Sequence, residues 1–261
     1  MDRARIKTFI LLLLLSVNLV FAAMLAIDFA EAARQRAETR AELVRALDRM
    51  GITIAPGAIP DDAPQAIYFS ERADQLHAES VLVTAVLGDS WGVPEGGGIF
   101  RWESRAGVGQ TRQGSFWFAL EPQIHPIADT GYLLDQMGLI ACAGLQIDSS
   151  VTYTQSIEGR QIVNAQITFY FADGYISELS GSALWGGRRH YTVENQQDIT
   201  TALIALAGHL RDNGTVSRFF DVEMGYYLLE GPGYLELLPV WIVGTDGGTF
   251  SIDRQSGEIR K

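Results

Sequence analysis

The strongest pattern along the chain is an apolar block near its N-terminus. No charged side chain occurs between Lys7 and Asp28. Thr8 to Ile27, with leucine at each position from Leu11 to Leu15, makes roughly 20 residues, enough at about 1.5 Å each to cross a hydrocarbon core of about 30 Å. From Asp28 to Met50 the composition turns to Ala, Glu, Arg and Leu, with no Gly or Pro. Glu31, Glu38 and Glu42 alternate with Arg34, Arg36, Arg40 and Arg45 at helical spacings. This predicts a stalk helix continuous with the apolar span. Leu43, Leu47 and Met50 give its last turns an apolar stripe for packing, and Gly51 is a natural stop.

After Gly51 the periods are mixed. Ile52 to Ile54 reads as a short strand, the prolines at 56, 60 and 64 mark a loop, and Ser70 to Leu87 reads as a helix with Leu76, Val83 and Leu87 near helical spacing. Gly92 to Gly98 is punctuation. Ile99 to Ser104 and Ser115 to Leu120 read as a hairpin joined by a polar, glycine-containing connection. Pro122 to Pro126 marks the boundary between lobes.

The second lobe repeats one plan twice. A helix over about Ile127 to Ala143 leads into strands at Val151 to Ile157, Ile162 to Phe171 and Tyr175 to Leu179, with turns at Glu158-Gly159 and Asp173-Gly174. A second helix over about Gln196 to Arg211 carries Ile199, Leu203, Leu206 and Leu210 on one face. Strands at Val216 to Leu229, Tyr234 to Val243 and Thr249 to Asp253 follow it. The alternation in Gln166-Ile167-Thr168-Phe169-Tyr170-Phe171 suits an antiparallel sheet covered on one side by a helix. The expected fold class is α+β. Its parts are a tip and transmembrane helix over 1–27, a stalk over 28–50, a first α+β lobe over 51–123 and a second over 124–261 with two helix-plus-three-strand repeats.

Charge fixes a direction. Arg3, Arg5 and Lys7 precede the apolar block, and Asp28 and Glu31 follow it. The positive-inside rule then leaves the N-terminus in the cytoplasm and the bulk of the chain outside. A cleaved signal peptide is the alternative, because Val20-Phe21-Ala22 fits a small-residue cleavage pattern, although the apolar run continues through Met24, Leu25 and Ile27. The net charge of −11 argues against nucleic acid as a partner. Cys142 is alone among Ala141, Ala143 and Leu139, so it makes no intramolecular disulfide and reads as a small buried hydrophobe. Ser16 and Asn18 are the polar exceptions in the membrane block. Asn18 either bonds its own helix backbone or lies near a headgroup region, or else it helps a partner transmembrane helix dock. The two residues are the candidate contacts to a partner membrane helix.

Catalytic chemistry is weakly signalled. Gly88-Asp89-Ser90-Trp91-Gly92 matches G-x-S-x-G, but that elbow needs a strand before the serine and a helix after it, and Pro94 with Gly96-Gly97-Gly98 sustains no helix. His77, His125, His190 and His209 have no metal-ligand spacing. Glu158, Asp173 and Asp246 precede glycines at turns, where positive φ accounts for them. Gly96 to Gly98 has no lysine for a phosphate cradle, Arg188-Arg189 reads as a solvated loop, and Asn213-Gly214-Thr215 fits both an N-glycosylation acceptor and a plain turn. The expectation is no catalytic, cofactor-binding or metal residue.

Several stretches together resemble the YycI-type regulatory proteins of Gram-positive bacteria. They are Met1-Asp2 with Arg5-Ile6-Lys7-Thr8 running into the apolar span, Tyr153-x-Gln155 with Glu158-Gly159, Ile162 and Asn164-Ala165, and Glu223-Met224-Gly225-Tyr226. The ending Leu238-Pro239-Val240-Trp241-Ile242, Thr245-Asp246-Gly247-Gly248-Thr249-Phe250 and Ser256-Gly257-Glu258-Ile259 is also similar to the wider PepSY-like domains. The resemblance implies a single-pass accessory protein with its domain outside the membrane. Its implied partners are a YycH-like sister protein and a sensor histidine kinase controlling cell-wall metabolism, with no catalytic residues. The alternatives are a PepSY-like inhibitor or chaperone of an exported peptidase, a cell-wall binding module, and a hydrolase using Ser90.

Overall fold

A computed structural model describes residues 3–60, 66–126, 129–137, 139, 144–185, 189–192, 196–213, 217–231 and 233–261. Cys142, Arg188, Gly214 and Thr215 lie outside the described residues. The chain is α+β, with four helices and a large, mostly antiparallel sheet among the described residues.

Helix α1 (Arg3–Arg49) runs unbroken through both the apolar block and the stalk. At 47 residues it is about 70 Å long. Its leucines from Leu12 to Leu25 are exposed, whereas Leu43 and Leu47 are buried. Strand β1 (Thr53–Ile54) follows, then β2 (Ala66–Glu71) and α2 (Arg72–Leu87). Ser70 and Glu71 therefore belong to β2, not to the helix. On α2 the buried face is Gln75, Glu79, Leu82, Val83, Val86 and Leu87, and Leu76 lies on the exposed side.

Next comes a four-stranded meander where the pattern predicts one hairpin: β3 (Trp91–Gly96), β4 (Ile99–Ser104), β5 (Gly107–Arg112) and β6 (Ser115–Leu120). The expected connection is itself β5, and it separates β4 from β6. The inward face of β5 is Gly107, Gly109 and Thr111, which shows no hydrophobic alternation. Glycine is required at position 109, because a Cβ there would lie 2.1 Å from the Phe118 ring.

Helix α3 (Thr130–Gln136) is much shorter than the expected 127–143, and residues 127–128, 138 and 140–143 are not described. It precedes β7 (Leu145–Ile147), β8 (Ser150–Ile157), β9 (Arg160–Ala172) and β10 (Tyr175–Ser182). After β11 (Arg189–Thr192), helix α4 (Ile199–Asn213) leads into β12 (Arg218–Gly231), β13 (Tyr234–Thr245), β14 (Gly248–Asp253) and β15 (Ile259–Arg260). Among the described residues, helix α3 is thus followed by the four strands β7 to β10 and α4 by the four strands β12 to β15, with β11 between the two groups. The sequence pattern predicts three strands after each helix. The α2–β6 segment is a helix followed by a four-stranded antiparallel meander.

The main strand order is β11-β2-β13-β12-β9-β10-β6-β5-β4-β3. Strands β2 and β6 from the first 123 residues thus pair with β13 and β10 from the rest. The array covers two cores. One gathers Leu82, Phe118, Leu133, Phe169 and Tyr226 under α2 and α3. The other gathers Leu43 and Leu47 of α1, Leu203, Leu206 and Leu210 of α4, and Phe219, Trp241 and Ile252 of the sheet. The long hairpin β12–β13 belongs to both, with Phe219 and Met224 in the second core and Tyr226 and Leu228 in the first.

Candidate functional site

The apolar part of α1 is the first candidate. It is long and apolar enough to cross a membrane, and none of its most apolar window is buried against the rest of the chain. This is the property of an anchor or of a signal sequence. Ser16 donates through Oγ to the Leu13 carbonyl at 2.8 Å, bonding its own helix. Asn18 is exposed on the same helix. At two residues apart the two side chains do not face each other, so the helix does not bring them to one contact.

The second candidate is the junction where the stalk half of α1 meets the body. Leu43 and Leu47 seat the helix on α4 and β1 beside Ile52, Ile54 and Ile59. Arg40 donates through Nη2 to the Ile59 carbonyl at 2.9 Å. Asp198 accepts the Thr201 N–H at 2.7 Å, which caps the first turn of α4. Between these parts lies an open groove of about 410 Å³. Of the apolar stripe read from the sequence, only Leu43 lines this groove; the rest of its α1 side is Ala32, Gln35, Arg36, Thr39 and Arg40. The other wall comes from residues near 59 and 199, and no local signal links them.

A third feature is the seam between β9 and β12. These strands share a single parallel backbone pair, Tyr226 with Ile162. Side chains complete the joint. Asn164 makes two hydrogen bonds to the Leu228 backbone, and Gln161 donates through Nε2 to Glu223 Oε2 at 3.3 Å. Burial holds the Glu223 carboxyl above the usual carboxylate range, and the nearby Asp221 carboxylate adds to the effect. Close to the seam, the Tyr68 and Tyr226 rings meet edge to face at 5.4 Å, and burial pushes both hydroxyls above the ordinary tyrosine value. The largely buried Arg254 lies 5.0 Å over the Trp241 ring, and burial lowers its affinity for its proton.

Residues with possible chemistry are spread over the fold. Ser90 lies after α2 and before β3, the reverse of the strand–serine–helix order of a nucleophile elbow. His125 meets the Val86 carbonyl at 2.9 Å, His190 lies on β11 beside the Tyr68 ring, and His77 and His209 are on α2 and α4. Among the described residues no three His, Cys, Asp or Glu side chains gather as a metal site.

The turn residues divide into two kinds. Glu158-Gly159 and Asp173-Gly174 have positive φ at both positions, as two-residue hairpin loops demand. Asp246 differs from expectation, because the positive φ falls on Gly248 instead. The Asp246 carboxylate accepts the Ser217 hydroxyl at 2.7 Å and the Ser217 and Arg218 N–H groups, and these bonds hold it below the usual range.

No protein-family model matches this chain, and no curated protein matches it. Solved structures are similar to it in part. An uncharacterized protein from Eubacterium rectale ATCC 33656 aligns at 10% identity with a TM-score of 0.47, over 77% of this chain and 86% of that one. The Bacillus megaterium YpeB C-terminal domain aligns at 14% identity with a TM-score of 0.35, over 72% of this chain and 95% of that one.

Proposed function

We propose that this chain is a membrane-anchored accessory regulator with its body outside the cytoplasm. In this reading it adjusts a two-component sensor histidine kinase controlling cell-wall metabolism, together with a YycH-like sister protein. The PepSY-like and YycI-like motifs named from the sequence support the family assignment. The observation that carries the mechanism is the continuity of α1, whose exposed apolar half and core-seated Leu47 belong to one unbroken helix. A rigid helix of this length transmits displacement of a membrane partner directly to the core it shares with α4. Regulation then follows from differential contact with two kinase states, without any reaction in this chain. Positive charge before the span and acidic residues after it support the outward orientation.

Affinity purification of the full chain from membranes in mild detergent tests this. Recovery of a sensor histidine kinase supports the regulator. Recovery of an exported peptidase instead overturns it in favour of the PepSY-like inhibitor or chaperone, and recovery of cell-wall polymer alone favours a wall-binding module.

A further inference from the structure

We infer that the solvent side of the sheet around Trp117 is a binding surface for a neutral, flat polysaccharide, which goes beyond the regulator reading and does not depend on it. Along β5, β6 and the second half of β9 the side chains alternate between a buried side and a solvent side. The buried side sends Phe118, Ile167 and Phe169 into the core under α2 and α3. On the solvent side, strand register sets Thr152, Thr168, Ser180, Trp117 and Gln110 in one row across five strands. The Thr152 and Thr168 hydroxyls meet at 3.0 Å, as side chains on one side must. Trp117 is 42% exposed, with Ser180 directly opposite it on one neighbouring strand and Gln110 on the other. Tyr170, 41% exposed, lies on the same side. Two strands and two residues separate the rings, about 12 Å at ordinary sheet spacings.

The chemistry of this face selects its occupant. An exposed ring takes a partner that is apolar on its face and polar at its rim, and a pyranose has C–H groups on its faces and hydroxyls around its edge. The Ser180 hydroxyl and the Gln110 amide flank the indole where that edge falls. Charge points the same way. Arg101 pairs with Glu103 at 3.3 Å, Arg112 and Glu178 offset each other in sign, and Glu95 accepts from Gln110 Nε2 at 3.3 Å. The face is therefore close to neutral on a chain of net charge −11, and it complements neither a polyanion nor a polycation. A protein partner requires an apolar centre. Here Leu145 and Ile147 on β7 and Trp91 and Val93 on β3 lie at opposite margins, with the hydroxyl row between them. A sheet face takes a ribbon, so the glycan has the extended form of β-1,4-linked sugars. The separation of Trp117 from Tyr170 makes it an oligosaccharide and not a single ring.

Isothermal titration of the full chain, solubilised in a detergent without a sugar headgroup, tests the surface. The probes are the β-1,4-linked hexasaccharides of N-acetylglucosamine and of glucose. Saturable binding of at least one is expected, with its disaccharide about tenfold weaker because it cannot reach both rings. Trp117→Ala is expected to weaken the hexasaccharide by about tenfold and Tyr170→Ala by severalfold, the worth of one ring contact. Trp117→Phe should keep most of the affinity, and Phe220→Ala, which removes an exposed ring of β12, should change nothing. Unchanged thermal unfolding midpoints show that the variants are folded. No saturable heat from either hexasaccharide at millimolar concentration overturns the inference, as does affinity that survives Trp117→Ala. Self-association that depends on Trp117, without sugar uptake, assigns the face to a second copy of the chain and also overturns it.

Discussion

Asn164 and Leu228 are joined by a pair of hydrogen bonds that takes the place of a missing ladder rung. Asn164 Nδ2 donates to the Leu228 carbonyl at 2.8 Å, and the Leu228 N–H donates to Asn164 Oδ1 at 2.7 Å. A side-chain amide has the same donor and acceptor as a peptide, so it satisfies a strand where the neighbouring backbone has moved away. Gln155 does the same for Leu184, at 2.8 Å in both directions. Asn164 therefore fastens β9 to β12, and Gln155 fastens β8 to the chain just past the end of β10.

Replacing Asn164 by Leu should leave the Leu228 N–H and carbonyl unsatisfied and cost about 2–4 kcal/mol. Asn164→Asp should also destabilise at neutral pH, because its carboxylate still accepts the Leu228 N–H but sets a second oxygen against the Leu228 carbonyl. Urea denaturation of the full chain in detergent measures both, and equal stability of Asn164→Leu and the unmodified chain would remove the fastener role.

Leu47 should be the most sensitive position of the stalk. It is fully buried between α1 and α4, so Leu47→Ala should lose about 2–5 kcal/mol, whereas Leu25→Ala, on the exposed apolar half, should leave the body's unfolding unchanged. Thermal unfolding of the two variants decides this.

Strands β8 to β10 were legible in the sequence because their signals are local. Alternation in β9 and the two-residue Glu158-Gly159 and Asp173-Gly174 turns mark strand ends within one or two residues of where they fall. The unbroken α1 was equally legible from composition. Strand β5 was not, since a glycine face that makes room for Phe118 carries no apolar period. The stalk groove and the Asn164–Leu228 pair were hidden for another reason: their halves lie far apart in the chain, and only the topology brings them together.

Gly109→Ala should therefore be damaging in a strand where its sequence looks permissive. The added methyl meets the Phe118 ring, and overpacking of this kind costs about 1–3 kcal/mol. Gly97→Ala, with open space around it but positive φ, separates steric crowding from backbone strain if the two unfolding midpoints are compared.

Two carboxylates should give stability opposite pH dependences. Asp246 has its folded pKa lowered by the Ser217 hydroxyl, so its contribution is complete above the ordinary Asp value near 4 and is lost as pH falls through the folded value. Asp246→Asn should flatten the acid limb of the stability curve. Glu223 has its folded pKa raised by burial, so its ionisation opposes folding at neutral pH, and that penalty vanishes below the ordinary Glu value near 4.3. Glu223→Gln should stabilise the chain at pH 7 and not at pH 4. Urea titrations at the two pH values check both signs.

Protease treatment of intact cells carrying the full chain, followed by carbonate washing and blotting for each end, is the most direct measurement. The account predicts an intact 28.6 kDa chain in the washed membrane before protease. After protease, only a short fragment holding the N-terminus should remain there. A body recovered free in the medium without its first two dozen residues, or a chain protected from external protease, would contradict it.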